Sequence, residues 1–226
     1  MPAHGRRCRR CRAGRCRVIG ARGSCGPQYT PDADWPRLAA ALRAFPVIPA
    51  LRSPEDAREA LRRPGAALLV FKGTVFTLRE ILQLAQGARP VLVHLDLLEG
   101  VGKDEAGVQW LAELGVRGIA STRGHLVRQA LRRGLIAVQR VFAVDSDALA
   151  TGLASAREAT PHAVELLPGL MVPHLGDELR KSLGLPVLGA GLIRTPDHVR
   201  TILAAGAVGV SSSARALWGL AGPDRR

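Results

Sequence analysis

The chain has 226 residues, of which 47% are hydrophobic and 23% are charged. This composition is that of a globular protein, and the length fits one large domain or one domain with a tail, which excludes collagen-like and low-complexity chains. The apolar run at residues 66–71 stops at Lys72, far short of the roughly 18 residues that a membrane-spanning helix needs. We therefore expect a soluble protein without a membrane partner.

The net charge of +13 is concentrated at the amino terminus. Residues 1–30 contain eight arginines and no acidic residue: Arg6, Arg7, Arg9, Arg10, Arg12, Arg15, Arg17 and Arg22. The remainder of the chain is only mildly basic, so the charge alone is a weak indication of a nucleic-acid partner.

All four cysteines lie in this segment with the spacing C-x2-C-x4-C-x8-C: Cys8, Cys11, Cys16 and Cys25. We predict that residues 1–30 form a disordered Arg- and Cys-rich tail and that residues 31–226 form the folded domain, without a metal. A zinc knuckle is one alternative for the tail, because four thiolates satisfy tetrahedral zinc, and a disulfide scaffold is another. The apolar pair Val18-Ile19 is too short for a secretory signal, so we place the protein in the cytoplasm.

From about residue 45, short apolar runs alternate with amphipathic stretches, which is typical of parallel βα units. Eight strands are predicted, at residues 47–51, 66–71, 91–95, 118–121, 136–141, 163–167, 187–189 and 208–211. Eight such units favour a compact TIM-like (β/α)8 barrel. The competing architecture is an open doubly wound sheet, which normally has a glycine-rich phosphate loop after its first strand, whereas this chain has Leu51-Arg52-Ser53-Pro54 there.

The helices between these strands have recognisable ends. Ser53 and Thr195 each precede a proline and acidic residues, as N-cap residues do. Four glycines each follow a helical stretch and precede a strand, where a left-handed residue is expected at the end of a helix: Gly115, Gly134, Gly184 and Gly206.

Polar residues at the carboxyl ends of the middle strands are candidates for ligand binding, because the working face of such a barrel lies at these ends. His94 and Asp96 end the third strand on its interior face, and the loop after them brings Lys103 within reach of an anion. Arg123 and Arg140 offer planar donors for a phosphate or a carboxylate. The alternative for each residue is structural: Asp96 as a loop cap, His94 as a paired core histidine and the arginines as solvated side chains.

Glu165 is predicted to face the barrel interior from the sixth strand. An unpaired buried carboxylate is costly, so we expect it to have an arginine, lysine or hydroxyl partner. A structural ion pair and a contact with a ligand are both open at this stage.

The loops after the last two strands are the strongest local signal. Gly189, Ala190 and Gly191 follow the seventh strand, and Ser211 and Ser212 end the eighth. Glycines let backbone N–H groups approach a phosphate closely, and a (β/α)8 barrel usually binds phosphate at these two loops. We therefore predict a phosphate-ester site here, against the alternative of two ordinary turns.

Five ordered motifs in residues 45–219 resemble the glycerol-3-phosphate-responsive antiterminators. They are His94-Leu95-Asp96-Leu97-Leu98-Glu99-Gly100 with Lys103-Asp104, Gly118-Ile119-Ala120-Ser121-Thr122-Arg123, Gln139-Arg140-Val141-Phe142 with Asp145-Ser146, Val164-Glu165-Leu166-Leu167-Pro168-Gly169, and Gly189-Ala190-Gly191-Leu192-Ile193-Arg194-Thr195. One departure is Ala190, where the family typically has a glycine.

The resemblance implies a barrel that binds glycerol 3-phosphate and then a leader mRNA, which permits transcription of glycerol-use genes. It implies a regulator with an effector and no cofactor, rather than an enzyme. No RNA-recognition motif or aromatic stacking platform is visible, so candidates for RNA contact are Arg128, Arg132, Arg133 and the tail. The alternative function is a barrel enzyme on a small phosphorylated substrate, with Asp96 or Glu165 as general base and His94 as acid.

Overall fold

A computed structural model describes residues 34–222, apart from the side chains of residues 176–178. Its centre is a closed barrel of eight parallel strands. In chain order these are β1 (Val47–Leu51), β2 (Leu68–Val70), β3 (Val91–His94), β4 (Gly118–Ser121), β5 (Ile136–Phe142), β6 (Ala163–Leu167), β7 (Val187–Ala190) and β8 (Gly209–Ser212).

Each strand pairs with its neighbours in sequence, and β8 closes the barrel against β1 with Val47 opposite Val210. This closure confirms the TIM-like (β/α)8 prediction and excludes the open sheet. All eight strands were located from the sequence, with ends that differ by up to two residues.

Eight α-helices within the described residues accompany the strands: α1 (Asp34–Ala44), α2 (Pro54–Leu61), α3 (Val75–Ala85), α4 (Glu105–Leu114), α5 (Gly124–Arg132), α6 (Ser146–Ala159), α7 (Val172–Leu183) and α8 (Pro196–Ala204). Ser53 caps α2 and Thr195 caps α8, each by accepting from a backbone N–H three residues later. The four glycines predicted to end helices have left-handed φ angles of 102°, 71°, 65° and 88° in chain order. The turn chemistry predicted from the sequence is thus confirmed.

Helix α1 lies across the amino-terminal end of the barrel, a position that was not predicted from the sequence. Its buried residues Leu38 and Leu42 pack in one cluster with barrel-interior residues such as Ile48 and Leu188. Trp35 stacks on His162, which precedes β6, with ring centroids 6.1 Å apart. The helix therefore plugs the amino-terminal end and leaves the opposite end as the mouth.

In the part of the chain that the structure covers, β8 is followed by a 3₁₀ turn (Arg215–Leu217) in place of an outer helix. The indole Nε1 of Trp218 donates to the carbonyl of Ser212 at 2.8 Å, which ties this turn to the end of β8. A two-stranded ribbon, Gly73–Thr74 with Leu98–Glu99, joins the loops after β2 and β3.

None of the helices within residues 34–222 is long and apolar enough to cross a bilayer. The predicted tail, with its four cysteines, lies outside the described residues, so its disorder and the zinc alternative stay predictions.

We expect Leu42→Ala to lower the free energy of unfolding by about 2–5 kcal/mol, because Leu42 is fully buried between α1 and the barrel and its truncation leaves a cavity. Urea unfolding followed by circular dichroism measures this. Val144→Ala, at a side chain that is 71% exposed, is the control and should change stability by less than about 0.5 kcal/mol. A Leu42→Ala variant as stable as this control would contradict the plug.

Candidate functional site

A cavity of about 840 Å³ opens at the carboxyl ends of the strands. This volume lies in the range of roughly 300–1,000 Å³ that is common for small-molecule sites. Three arginines, at the ends of β1 and β5 and in the loop after β7, line it: Arg52, Arg140 and Arg194. Asp96 is the one carboxylate among the lining residues, so the cavity favours an anion.

A buried ion pair lies at the centre of the mouth. Arg140 on β5 donates from Nε to Glu165 Oε2 on β6 at 2.6 Å, and their side chains are 5% and 3% exposed. Ser211 on β8 donates from Oγ to the other oxygen of Glu165 at 2.7 Å. This geometry confirms that Glu165 faces the interior and has arginine and hydroxyl partners.

The same arginine extends the network to β3. Its Nη1 lies 2.7 Å from Nε2 of His94, which is buried. Phe71, just after β2, stacks on the His94 ring with centroids 5.7 Å apart. The guanidinium groups of Arg52 and Arg140 lie 5.6 Å and 5.9 Å from the Phe71 ring centroid, within cation–π range. These contacts fix the positions of the positive charges in the cavity.

Asp96, in the turn after β3, is held by the end of β4. Its oxygens accept from Ser121 Oγ at 2.9 Å and from the backbone N–H of Thr122 at 2.8 Å, and Oδ2 lies 3.5 Å from Nε2 of His94. Burial raises the pKa of Asp96, but hydrogen bonds from His94, Thr122 and Ser121 outweigh it and hold the pKa well below its ordinary value. Asp96 is therefore a carboxylate that organises the loop after β4.

The two late loops present unused backbone donors to the cavity. Gly191 and Leu192 both have left-handed φ angles, 74° and 59°. Ser212 donates from Oγ to the carbonyl of Ile193 at 2.8 Å, which joins the loop after β7 to the end of β8. Within residues 34–222, the N–H groups of Leu192 and Ser213 donate to no other group. They are suited to an anion of the kind expected from the sequence.

The structure brings most of the predicted ligand residues together. Those that line the cavity are His94, Asp96, Arg140, Ala190, Gly191, Ser211 and Ser212. Glu165 lies behind them, joined to Arg140 and Ser211.

Besides Glu165, three predicted ligand residues do not line the cavity. Lys103 donates to the carbonyls of Leu95 and Leu98 and so holds the loop after β3. Burial lowers the pKa of Lys103 from its ordinary value. Gly189 faces helix α8, where a Cβ would lie 3.0 Å from Ile202, and the half-exposed Arg123 has its Nε 3.6 Å from Asp96.

Sequence reasoning missed Arg52, Phe71 and Arg194 as cavity residues. A signal was present, because Arg52 and Phe71 each lie at the end of a predicted strand or directly after it. Arg52 was overlooked because its loop lacks the glycines of a phosphate loop, and Phe71 because its side chain is apolar.

The cavity has little of what acid–base or covalent catalysis needs. Both oxygens of Glu165 are occupied, and Asp96 is a weak base because its pKa is low. None of the three lysines, all within the described residues, lines the cavity, so a Schiff base has no amine. No group of three metal-ligating side chains occurs in residues 34–222 apart from the side chains not described. The cationic lining suits the binding of an anion.

The fold and the cavity thus define a (β/α)8 barrel with a cationic small-molecule site at its mouth. Comparison with known families matches residues 47–218 to the glycerol-3-phosphate responsive antiterminators. The chain belongs to this family, as its motifs had indicated.

Solved structures agree with this assignment. The glycerol uptake operon antiterminator regulatory protein of Listeria monocytogenes is 32% identical, with a TM-score of 0.72 over 76% of this chain and 94% of that one. A glycerol uptake operon antiterminator-related protein of Thermotoga maritima is 28% identical, with a TM-score of 0.69 over 78% and 99%. A similar sequence is also found among curated proteins: the uncharacterized protein YgcP of Escherichia coli (strain K12) is 29% identical over 80% of this chain and 95% of its own.

We expect Arg140→Met to destabilise the fold by about 3–5 kcal/mol, because it leaves the buried Glu165 carboxylate without its cation. The double variant Arg140→Met with Glu165→Gln should recover much of this loss, since no uncompensated charge remains. Arg128→Met, which breaks a long ion pair on the surface, should cost less than about 1 kcal/mol. Urea unfolding of the three variants measures these differences. A double variant no more stable than Arg140→Met would contradict the explanation that the loss comes from an unpaired Glu165 carboxylate.

The lowered pKa of Asp96 predicts a pH dependence of stability. Its carboxylate stabilises the fold above the unfolded-state pKa near 3.9, and this contribution is lost as the pH falls below that value towards the lower pKa of the folded state. Urea unfolding between pH 7 and pH 3 should therefore show a shallower acid loss for Asp96→Asn than for the unaltered chain. Asp147→Asn, at an exposed site, should keep the full slope, and equal slopes in both variants would refute the role of Asp96.

Proposed function

We propose that the protein is a transcription antiterminator that binds glycerol 3-phosphate at the barrel mouth and then binds a leader mRNA of glycerol-use genes. The observation that supports this most directly is the cavity lined by Arg52, Arg140 and Arg194, with unused N–H groups in the two late loops. This is the donor set that a phosphate monoester requires. Family membership points to the same ligand.

The phosphate of the effector would lie at the late loops, on the N–H groups of Leu192 and Ser213. Arg194 and Arg52 supply charge at the rim, and Arg140 supplies it from below. The glycerol hydroxyls are then directed to His94 and Asp96 across the mouth. In this arrangement Ala190 replaces a glycine without blocking the site, because the phosphate donors come from residues after it.

The enzyme alternative is the weaker proposal for this cavity. It requires a free general base, and the two candidates, Asp96 and Glu165, are both engaged in hydrogen bonds within the protein. A regulator needs only that the effector binds, so the same geometry suits it. We also propose that the protein works in the cytoplasm, without a cofactor.

Switching follows from linkage between effector and RNA. The effector must bind the RNA-competent state more tightly than the other state, and RNA then raises effector affinity by the same factor.

Calorimetric titration of the full chain with glycerol 3-phosphate tests the first step, with glycerol and inorganic phosphate as controls and NMR to detect turnover. Saturable binding without turnover supports a sensor. Turnover would make the protein an enzyme, and no binding would refute the effector site.

We expect Gly191→Asp to weaken glycerol 3-phosphate binding at least about tenfold, because it places a carboxylate beside the phosphate. A Cβ at Gly191 has Leu167 as its nearest neighbour at 3.7 Å, so the side chain fits. Gly184→Asp is a matched control: Gly184 also has a left-handed φ, 65°, and open space, but it ends α7 at the other end of the barrel. The backbone strain is then similar in both variants. Calorimetry that shows equal affinity for both would refute the late-loop site.

A further inference from the structure

The amino-terminal end of the barrel carries a surface that the effector site does not use. It consists of α1 and the loops that lead from each helix into the next strand, and we call it the basic face. Four exposed cations lie on it: Arg37 and Arg43 on α1, Arg132 at the end of α5 and Lys181 in the last turn of α7. Among the side chains that the structure describes, no carboxylate forms an ion pair with any of these four.

A cleft of about 590 Å³ runs through this face, between α1 and the loops before β3 and β4. Three arginines line it: Arg37, Arg89 and Arg117. Asp34, the first residue of α1, is the one carboxylate among its lining residues. The cleft is therefore a second cationic concavity, at the opposite end of the barrel from the effector cavity.

The arginine-rich segment of the sequence comes before this face in the chain. Residues 1–30, with eight arginines and no acid, precede α1 in the sequence and lie outside the described residues.

Helix dipoles explain part of this charge but not all of it. Cations in the last turn of a helix are favoured by its dipole, which accounts for Arg132 and Lys181. Arg37 lies within α1, before its last turn, and Arg89 and Arg117 lie in loops before strands. These three arginines line one cleft, an arrangement that helix dipoles do not require.

The mouth is less suited to a polyanion. Its loops present exposed carboxylates, among them Glu99, Asp145 and Asp147. The exposed large apolar side chains of residues 34–222 also lie at this end, in the loops, at strand ends and in the first turn of α3: Phe76, Leu97, Phe142, Val144 and Leu192. Nucleic-acid affinity depends mainly on cations that neutralise phosphates. The basic face also has exposed carboxylates, Glu113 and Glu158 in the last turns of α4 and α6, but among the described side chains neither forms an ion pair with the four exposed cations named above.

We infer that the basic face binds the phosphate backbone of RNA, with the strand lying across α1 and along the cleft. This rests on the RNA-binding part of the proposed function and adds where RNA binds. The effector and the RNA then occupy opposite ends of the barrel. Arg37 and Arg43 contact phosphates, while Arg89, which donates to the carbonyls of Ala60 and Arg63, holds the cleft wall.

The test compares two charge reversals in the full chain: Arg37→Glu with Arg43→Glu on the basic face, and Arg128→Glu with Arg200→Glu on the outer faces of α5 and α8. Both change the net charge equally and affect exposed side chains. Fluorescence anisotropy with a labelled oligouridine of ~20 nucleotides, with glycerol 3-phosphate present, measures affinity across a salt series. Thermal melting and calorimetry with glycerol 3-phosphate verify that each variant folds.

We expect the basic-face pair to weaken RNA binding at least about tenfold. Its salt dependence should also become shallower, by roughly 0.7 in log–log slope for each phosphate that the variant no longer neutralises. The outer pair should weaken binding less than about threefold. Equal weakening in both pairs would show general electrostatics and overturn the inference, as would greater weakening in the outer pair, which would place RNA on the flank.

Two further outcomes also overturn it. If the full-length protein binds glycerol 3-phosphate but no RNA, the proposed RNA-binding role of the basic face is overturned, while the effector site still stands. A basic-face pair that binds RNA normally but alters the oligomeric state in sedimentation would make this face an interface between copies of the chain. The effector titration is scored separately, so failure of the effector site and failure of the basic face are distinguishable.

Discussion

The buried pair of Arg140 and Glu165 is the interaction on which the mouth of the barrel depends. Removing two charges from water costs several kcal/mol per ion, and the cost is recovered only when every donor and acceptor finds a partner. Here both Glu165 oxygens are used, one by Arg140 and one by Ser211, while the arginine also contacts His94. Four strands are joined in this way at one level. The end towards α1 is closed instead by packing of residues such as Ile48 and Leu188. The interior is therefore aliphatic near α1 and polar near the mouth.

This polar layer also connects the parts of the effector cavity. Ser211 lies two residues before Ser213, which lines the cavity, and Asp96 at the far side of the layer fixes the loop after β4. The late loops are thus joined to the β4 loop through a series of neighbouring polar groups: Ser211, Glu165, Arg140, His94 and Asp96. Contiguity of this kind is one requirement for coupling, and the other is an element with two discrete arrangements. The rim also has exposed apolar side chains, such as Phe142 at the end of β5 and Leu192 in the loop after β7.

Much of this fold was predictable because its signals are local. Alternating apolar runs located all eight strands, and the cost of burying a lone carboxylate predicted the partners of Glu165. Helix α1 was missed although Trp35, Leu38 and Leu42 have helical spacing, because nothing in a single sequence says that an extra helix closes a barrel end. Lys103 was assigned to the anion because its loop is rich in glycine, but the chain turns so that its ammonium meets two carbonyls. Such choices depend on tertiary distances, which a motif does not contain. The tail of residues 1–30 stays a prediction throughout.

The separation of the two ends follows from the direction of the chain. In a (β/α)8 barrel every helix between strands starts at the mouth and ends at the opposite face, so dipoles favour acids at the mouth and cations at the other end. The mouth of this protein overcomes that bias only inside the cavity, where Arg140 is fixed by a buried carboxylate and Arg52 by an aromatic ring. A small anion can enter this cationic interior, whereas a long polyanion meets a rim where the cations Arg52 and Arg194 lie among exposed carboxylates such as Asp147. The same helix dipoles favour cations at the opposite face. The arginines of the cleft add further positive charge there, at positions that are not helix ends. In the arrangement that we propose, a small anionic effector and a large anionic partner therefore have separate sites that do not compete.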